Sequence, residues 1–520
     1  MSARPRRRTS PPSFPSEKPF RILRNPYSPT EVLRQEDVNT IHHASLRVLE
    51  ETGVDFWDAE TLALLKTAGM KVDEKNRHAW LDRAWVMEMV GKAPAQFTMH
   101  AWNPAKNVTV GGHHLLYAPV GGPPFVTDFD RGRREGNMAD VQTLNKLVQM
   151  ADAMVIGGGH LIEPLDVPVP VRHLETMFYD LTLIDKVPQS TVLGQVAAED
   201  SITMVALAHA GGAATVADAL AGIQHKPAVL GVVNVNSPLR YDGPMLEGLL
   251  ALARHGQVPV LTPFIIVGAN SPITLPAAIM QQNAEVLAGA ALIQFVNPGC
   301  PVVYGHFITP LDMRVGAVPF GTPEEVWAVF AAAQMARFYR LPFRGGGGLT
   351  TSQVPDAQAA YESTFGLWAA TMAHANLILQ GAGWLDGGLV ASFEKFVLDV
   401  EIIERFYAFL QERPINAETL AAEFIHQVGP GGHHLDTEHT MARYRTAFHH
   451  SELSSRLAHG AWVEQGAQDT AQRAHQKWKE MVANYQPPPM DQAVVEALLD
   501  YKERRKEGYV RGGRDNRANG

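Results

Sequence analysis

The feature that most restricts this chain is an alternation that begins near Asn137. Short apolar runs ending in glycine, asparagine, proline or polar residues take turns with longer stretches of 3.6-residue periodicity. The runs Met154–Gly158, Ser190–Gln195, Ala228–Asn234, Val260–Val267, Val302–Phe307, Pro342–Gly346 and Leu377–Gly381 read as strands. Between them, Leu174–Leu183, Asp200–His209, Pro244–His255, Ala277–Ile293, Pro323–Phe338 and Ala357–Ala373 read as helices. A strand followed by a helix that crosses back over the sheet is the βα unit, and its repetition leads to a parallel sheet. An eighth strand is read at Leu389–Phe393, where the pattern is shared with a helix start, so closure into a ring is inferred. The expected fold is an α/β TIM barrel, (β/α)8, with appended N-terminal helical and β elements and C-terminal helices. A doubly wound sheet would carry a phosphate fingerprint at its first turn. Neither Gly157–Gly159 nor Gly345–Gly348 matches G-x-G-x-x-G or a P-loop, and such glycines suit close backbone packing or ligand approach.

The 520 residues leave room for a barrel of roughly 250 residues plus appended elements. The chain divides into a basic tail over 1–30, a helical and small β domain over 31–136, and the barrel over 137–400. A helical extension over 401–485 and a tail over 486–520 follow. The Arg-rich start has no apolar stretch behind it and fails as a secretory signal, and no apolar run reaches the roughly 20 residues that span a bilayer. A net charge of −9 argues against a nucleic-acid partner. A single cysteine, Cys300, excludes an intrachain disulfide framework and fits a reducing, cytoplasmic setting. Among the 21 histidines, Gly431–His439 (GGHHLDTEH) is the best metal candidate, but no thiolate supports it, and no metal site is expected.

In such a barrel the chemistry sits at the C-terminal ends of the strands. The polar and aromatic residues there are His160, Glu163, Gln195, Asn234, Asn236, Phe264, Tyr304, His306, Thr350–Gln353, Trp384 and Asp386. There is no G-x-S-x-G elbow, and Cys300 follows Asn-Pro-Gly with no base beside it, so covalent acyl chemistry has no support.

Six segments, in order, carry a resemblance. They are HHASLRVLEETGV (42–54), GGPPFVTDFDRGRREGNMADVQTLNKLVQMAD (121–152), GGGHLIEP (157–164), PVVYGHFITPLDMRVGA (301–317), PDAQAAYES (355–363) and PGGHHLDTEHTMARYR (430–445). Over about residues 30–480 the chain resembles the trimethylamine methyltransferase family, whose members pass a methyl group from methylated amines to a corrinoid. Members that act on trimethylamine carry pyrrolysine after the sixth strand. Here the matching loop reads GGGGLTTSQVPDAQ, with Leu349 or Thr350 at that place and Ser352 and Gln353 beside it facing the corrinoid. The resemblance is therefore to the branch without pyrrolysine, and it implies a quaternary amine such as glycine betaine as substrate.

Chemistry agrees with that implication. A tertiary amine needs activation before a methyl can leave, whereas a quaternary ammonium expels a neutral amine on in-line attack. The protein has then to orient the substrate and desolvate its cation. Phe264, Tyr304 and Trp384 are the expected aromatic cage, and His306, Arg314 and His160 are the expected donors to a substrate carboxylate. The resemblance implies cobalamin or another corrinoid carried by a partner protein, since D-x-H-x-x-G is missing here. A homo-oligomer is compatible with a barrel of this size. The alternatives are another methyl donor, such as a sulfonium or tertiary amine, tetrahydrofolate as acceptor, or a non-catalytic barrel that binds an osmolyte.

Overall fold

The computed structural model describes residues 20–211 and 215–518; residues 1–19 of the N-terminal tail and the last two residues lie outside them. Its centre is a TIM barrel. Parallel strands His114–Tyr117, Gln189–Ser190, Leu230–Val235, Val258–Pro263, Val303–Gly305, Phe343–Gly346 and Leu377–Leu379 stand side by side, with Leu377–Leu379 pairing back to His114–Tyr117. The remaining gap is closed by 154–157: Val155 N–H donates to Tyr117 O at 3.0 Å and Gly157 N–H to Val187 O at 2.8 Å. The ring therefore has eight members. The eighth strand expected at Leu389–Phe393 is a strand, Val390–Ser392, but it pairs with Phe125–Thr127 in a separate four-stranded sheet. His114–Tyr117, upstream of Asn137, takes its place in the barrel.

Both faces of these strands are covered, which is why they read as nearly continuous apolar runs. Inside the ring, Leu116, Val155, Leu230, Val258, Val303 and Leu377 pack together at the N-terminal end. The hairpin of Gln96–Met99 and Val108–Gly111 plugs that end with Met99, Val108 and Val110. Each such side chain contributes about 1.5–3 kcal/mol on burial. The outer layer is a second apolar cluster of helix faces, with the helix Leu275–Val296, buried along most of its length, among its largest contributors. The glycine run at Gly345–Gly348 serves close packing: a Cβ on Gly347 would fall 2.7 Å from Gly381 Cα.

The C-terminal stretch also contributes to the body. The helix Gln492–Ala518 docks on the helices Val169–Leu183 and Gln195–Ala210. Asp200 there accepts from His173 at 2.9 Å, Tyr501 at 2.7 Å and Arg505 at 2.6 Å, and Glu175 takes Lys502 and Lys506. Burial opposes the charge on Asp200, yet these donors hold its carboxyl below the usual range. Among the described residues, no helix is long and apolar enough to cross a membrane.

Three buried carboxyls, Asp180, Glu285 and Glu325, are each pushed up to about 7 by burial. A carboxyl whose folded pKa is raised holds its proton more tightly in the folded state, so its contribution is complete below its unfolded pKa and is lost as pH rises toward 7. The melting temperature is therefore expected to fall between pH 5 and pH 7.5. Glu285 accepts from Leu239 N–H at 2.8 Å and Ser237 Oγ at 2.7 Å. Glu285→Gln is expected to flatten part of that decline in a calorimetric pH series; an unchanged slope would contradict the assignment.

Candidate active site

Four aromatic rings meet where the strands end. Phe264 follows Val258–Pro263, Phe307 follows Val303–Gly305, Phe320 precedes the helix Pro323–Phe338, and Trp384 follows Leu377–Leu379. Phe264 stands edge-on to Phe307 at 5.0 Å between centroids; Phe307 lies 5.7 Å from Phe320 and 6.3 Å from Trp384, and Phe320 lies 5.6 Å from Trp384. Phe320 and Trp384 are buried, whereas Phe264 is 39% exposed, so the group has a closed back and an open front. Trp384 is held from behind by Gly388, where φ is +93° and a Cβ would fall 2.4 Å from Trp384 Cζ2. The indole Nε1 of Trp384 is buried without a hydrogen-bond partner.

Beneath the rings lies Arg344, inside the strand Phe343–Gly346 and 1% exposed. Its guanidinium sits 5.3 Å from the centre of Phe307 and donates to His306 O and to Gln380 Oε1, both uncharged acceptors, while its Nε has no partner. Among the described residues no carboxylate lies within ion-pair distance of it; Glu325 acts on it only through space. Burial pushes Arg344 down to about 9, which still leaves it charged at neutral pH. A buried cation without a paired anion costs several kcal/mol by order of magnitude.

The residues expected from the sequence divide between this cluster and other places. Phe264 and Trp384 are in it. Tyr304 is not: Val303 faces the barrel interior, so Tyr304 turns outward and its hydroxyl donates to Asn283 of the helix Leu275–Val296 at 3.1 Å. His306 shares that outward side, with Nδ1 2.9 Å from Gln282 Oε1, and burial with the neighbouring Arg344 pushes it down to about 3. It is neutral and offers a substrate carboxylate no charge. Arg314 is 90% exposed and pairs with Asp312 on the rim. His160 bonds Glu163, which in turn takes Arg172 at 2.6 Å, on the loop after 154–157. Leu349 and Thr350 are buried, and the Thr350 hydroxyl donates to Glu362. Ser352 donates to Asp356 at 3.0 Å, and Gln353, exposed, donates to Thr351 O at 2.9 Å.

Phe307, Phe320, Arg344 and Gln380 were not among the sequence candidates. A signal existed for two of them. Arg344 is a charge inside an otherwise apolar and glycine strand, and Phe307 is the residue that a two-residue period from Val303 returns to the interior. Among the described residues, no group of three or more His, Cys, Asp or Glu could hold a metal ion.

Comparison with known proteins places this geometry in context. The family model described as trimethylamine methyltransferase (MTTB) matches residues 2–509. A glycine betaine methyltransferase of Desulfitobacterium hafniense (strain Y51) is 36% identical over 463 residues, 89% of this chain and 94% of that protein. The trimethylamine methyltransferase MttB of D. hafniense (strain DSM 10664 / DCB-2) is 28% identical over 480 residues, 91% and 94% of the two chains. The chain of a solved hydroxylamine complex of MtmB aligns with a TM-score of 0.45 and 8% identity over 88% of this chain and 89% of its own length. With a family model covering nearly its whole length and a relative at 36% identity, this chain belongs to the trimethylamine methyltransferase (MTTB) family.

Proposed function

We propose that this protein takes a methyl group from a quaternary amine of the betaine type and passes it to a corrinoid presented at the barrel mouth by a partner protein. The observation that carries this reading is the pairing of a four-ring aromatic group with a buried, anion-free Arg344 directly beneath it. A zwitterion with a trimethylammonium head and a carboxylate a few ångströms away matches both halves. The rings displace water from the cation and stabilise it through their faces, at roughly 0.5–2 kcal/mol per contact. Arg344 takes the carboxylate through the planar donor fork that suits two oxygens.

The pyrrolysine-equivalent loop supports the same substrate class. Leu349 and Thr350 are walled in, and Thr350 is committed to Glu362, so the loop offers the nitrogen no nucleophile. A quaternary nitrogen needs none. The rim suits a cofactor arriving from outside: Leu165, Leu193, Ile273, Met313, Val315 and Val354, all on loops at the mouth, are each at least 41% exposed. When bound, a corrinoid supplies the Co(I) nucleophile that accepts the methyl, and the carbon–nitrogen electron pair stays with nitrogen to give a neutral tertiary amine. The work of this chain is to hold the carbon–nitrogen bond in line with the opening and to keep water from the cation.

Calorimetric titration tests the cation site directly. Glycine betaine is expected to bind at least about tenfold more tightly than 3,3-dimethylbutanoate, in which carbon replaces the charged nitrogen; equal affinities would refute the reading. Phe307→Leu and Trp384→Leu are each expected to raise KM for the quaternary amine about 2- to 30-fold, the equivalent of one ring contact. Tyr304→Phe, whose hydroxyl faces the helix, is expected to leave KM unchanged in the same steady-state assay.

A further inference from the structure

At Gln380 a regular strand would carry the side chain out of the barrel, yet this one reaches in. Leu377 and Leu379 belong to the interior cluster, and Ile378, between them, packs with the outer one. Alternation would send residue 380 outward after Ile378. The backbone at Gln380 instead has a φ of +52°, in the left-handed region that residues with a Cβ adopt at a cost. That turn brings its carboxamide back to Arg344, the register partner of Leu377 on the neighbouring strand, whose guanidinium donates to Gln380 Oε1. The surroundings hold the turn in place. Gly348 N–H donates to Gln380 O at 2.8 Å, Gly381 N–H donates to Ala118 O at 2.8 Å, and a Cβ on Gly347 would fall 2.9 Å from Gln380 O. A glycine at 380 would take the same φ freely, but the chain keeps a long polar side chain there. Strain of this kind, held by its neighbours, collects at functional sites.

Glutamine also suits the place chemically. An arginine only donates, so the carboxamide must face it with Oε1, which leaves the two Nε2 hydrogens for another acceptor. Among the described residues, Gln380 makes no hydrogen bond through Nε2, and the side chain is half-buried rather than sealed. A glutamate of nearly the same shape would pair with Arg344 and cancel its charge. Glutamine fixes the guanidinium and leaves the charge in place.

We propose that Gln380 sets the specificity of the anionic end of the site: Oε1 positions the guanidinium of Arg344, and Nε2 donates to the substrate carboxylate that Arg344 takes. The proposal rests on the betaine reading and adds that the preference for a carboxylate-bearing amine over a bare quaternary ammonium needs both side chains.

Calorimetric titration of the full chain with glycine betaine and with tetramethylammonium, which has the cation and no anion, tests it. Gln380→Glu replaces a donor by an anion and occupies Arg344. It is expected to weaken glycine betaine at least about 30-fold and to change tetramethylammonium less than about threefold. Gln380→Gly takes the same φ without a side chain. It is expected to keep the melting curve of the parent and to weaken glycine betaine about tenfold. Arg344→Met, titrated beside them, separates the two claims. If that variant loses glycine betaine selectively while both Gln380 variants bind it as the parent does, the role of Gln380 is overturned and the betaine reading stands. Equal losses of the two ligands in Gln380→Glu would also overturn it, by showing a purely structural effect. If Arg344→Met shows no selective loss, the anion site itself is refuted and the proposal falls with it.

Discussion

Arg344→Met is expected to lower kcat/KM for glycine betaine by about 30-fold or more, because loss of one partner from a buried charge-assisted contact typically costs about 2–5 kcal/mol. The loss should follow the substrate's carboxylate. Tetramethylammonium, which has a cationic head and no anion, is expected to change less than about threefold, since its contacts are with the rings. The two partners that Arg344 keeps, His306 O and Gln380 Oε1, are neutral. Removing the guanidinium therefore leaves no uncompensated charge in the wall, and the fold should survive. Arg344→Lys is expected to recover only part of the loss, because an ammonium cannot present two parallel donors to one carboxylate. Equal losses with both substrates would show that Arg344 shapes the site without holding the anion. No loss with either would remove it from the site.

The second large effect concerns stability. Lys395 and Asp399 form an ion pair in which the side chains are 1% and 0% exposed. Lys395 Nζ also donates to Ser363 Oγ at 2.7 Å, Ser363 donates on to Gly348 O at 3.0 Å, and Asp399 accepts from Gly383 N–H at 2.9 Å. The pair thus ties the loop after Phe343–Gly346 to the turn that carries Trp384. Burial raises the Asp399 carboxyl to about 6 against the pull of Lys395. Lys395→Met leaves that acid buried and alone, and breaking such a pair from one side typically costs about 3–5 kcal/mol. Chemical denaturation is expected to show that loss, and Lys395→Met with Asp399→Leu is expected to recover most of it. A midpoint unchanged in the single variant would contradict the assigned role of the pair.

Much of the barrel was legible because strands covered on both faces and helices covered on one write different periods into the sequence. Each of the seven runs read from that pattern contributes residues to a barrel member or its immediate extension. Closure was not legible. His114–Tyr117 lies among short hairpin strands, and nothing local distinguishes a strand that pairs with Leu377–Leu379 from one that pairs with its neighbour. Val390–Ser392 has strand character in the place expected, but its partner Phe125–Thr127 is some 260 residues upstream. Pairing over that distance leaves no trace in the local pattern.

The site divides along similar lines. That aromatic residues gather at strand ends could be read, and Phe264 and Trp384 are where the reading put them. Which of Tyr304, His306 and Phe307 faces inward depends on the parity of one strand, and a shift of one residue exchanges the two faces. The helix Leu275–Val296 shows which parity holds, by supplying Gln282 and Asn283 as partners for the outward pair. Arg314 stood out because it follows the YGHF segment, but the rim loop carries it into solvent beside Asp312. The cation that remains inside comes from a different strand, Phe343–Gly346.

The most direct test of the central claim is to mix the purified chain with cob(I)alamin and glycine betaine and follow the absorbance of methylcobalamin while assaying dimethylglycine. The account predicts that the two products appear in equal amounts, at a rate proportional to enzyme, and that trimethylamine in place of glycine betaine gives neither methylcobalamin nor dimethylamine. No methylcobalamin from glycine betaine, or faster formation from trimethylamine, would contradict it.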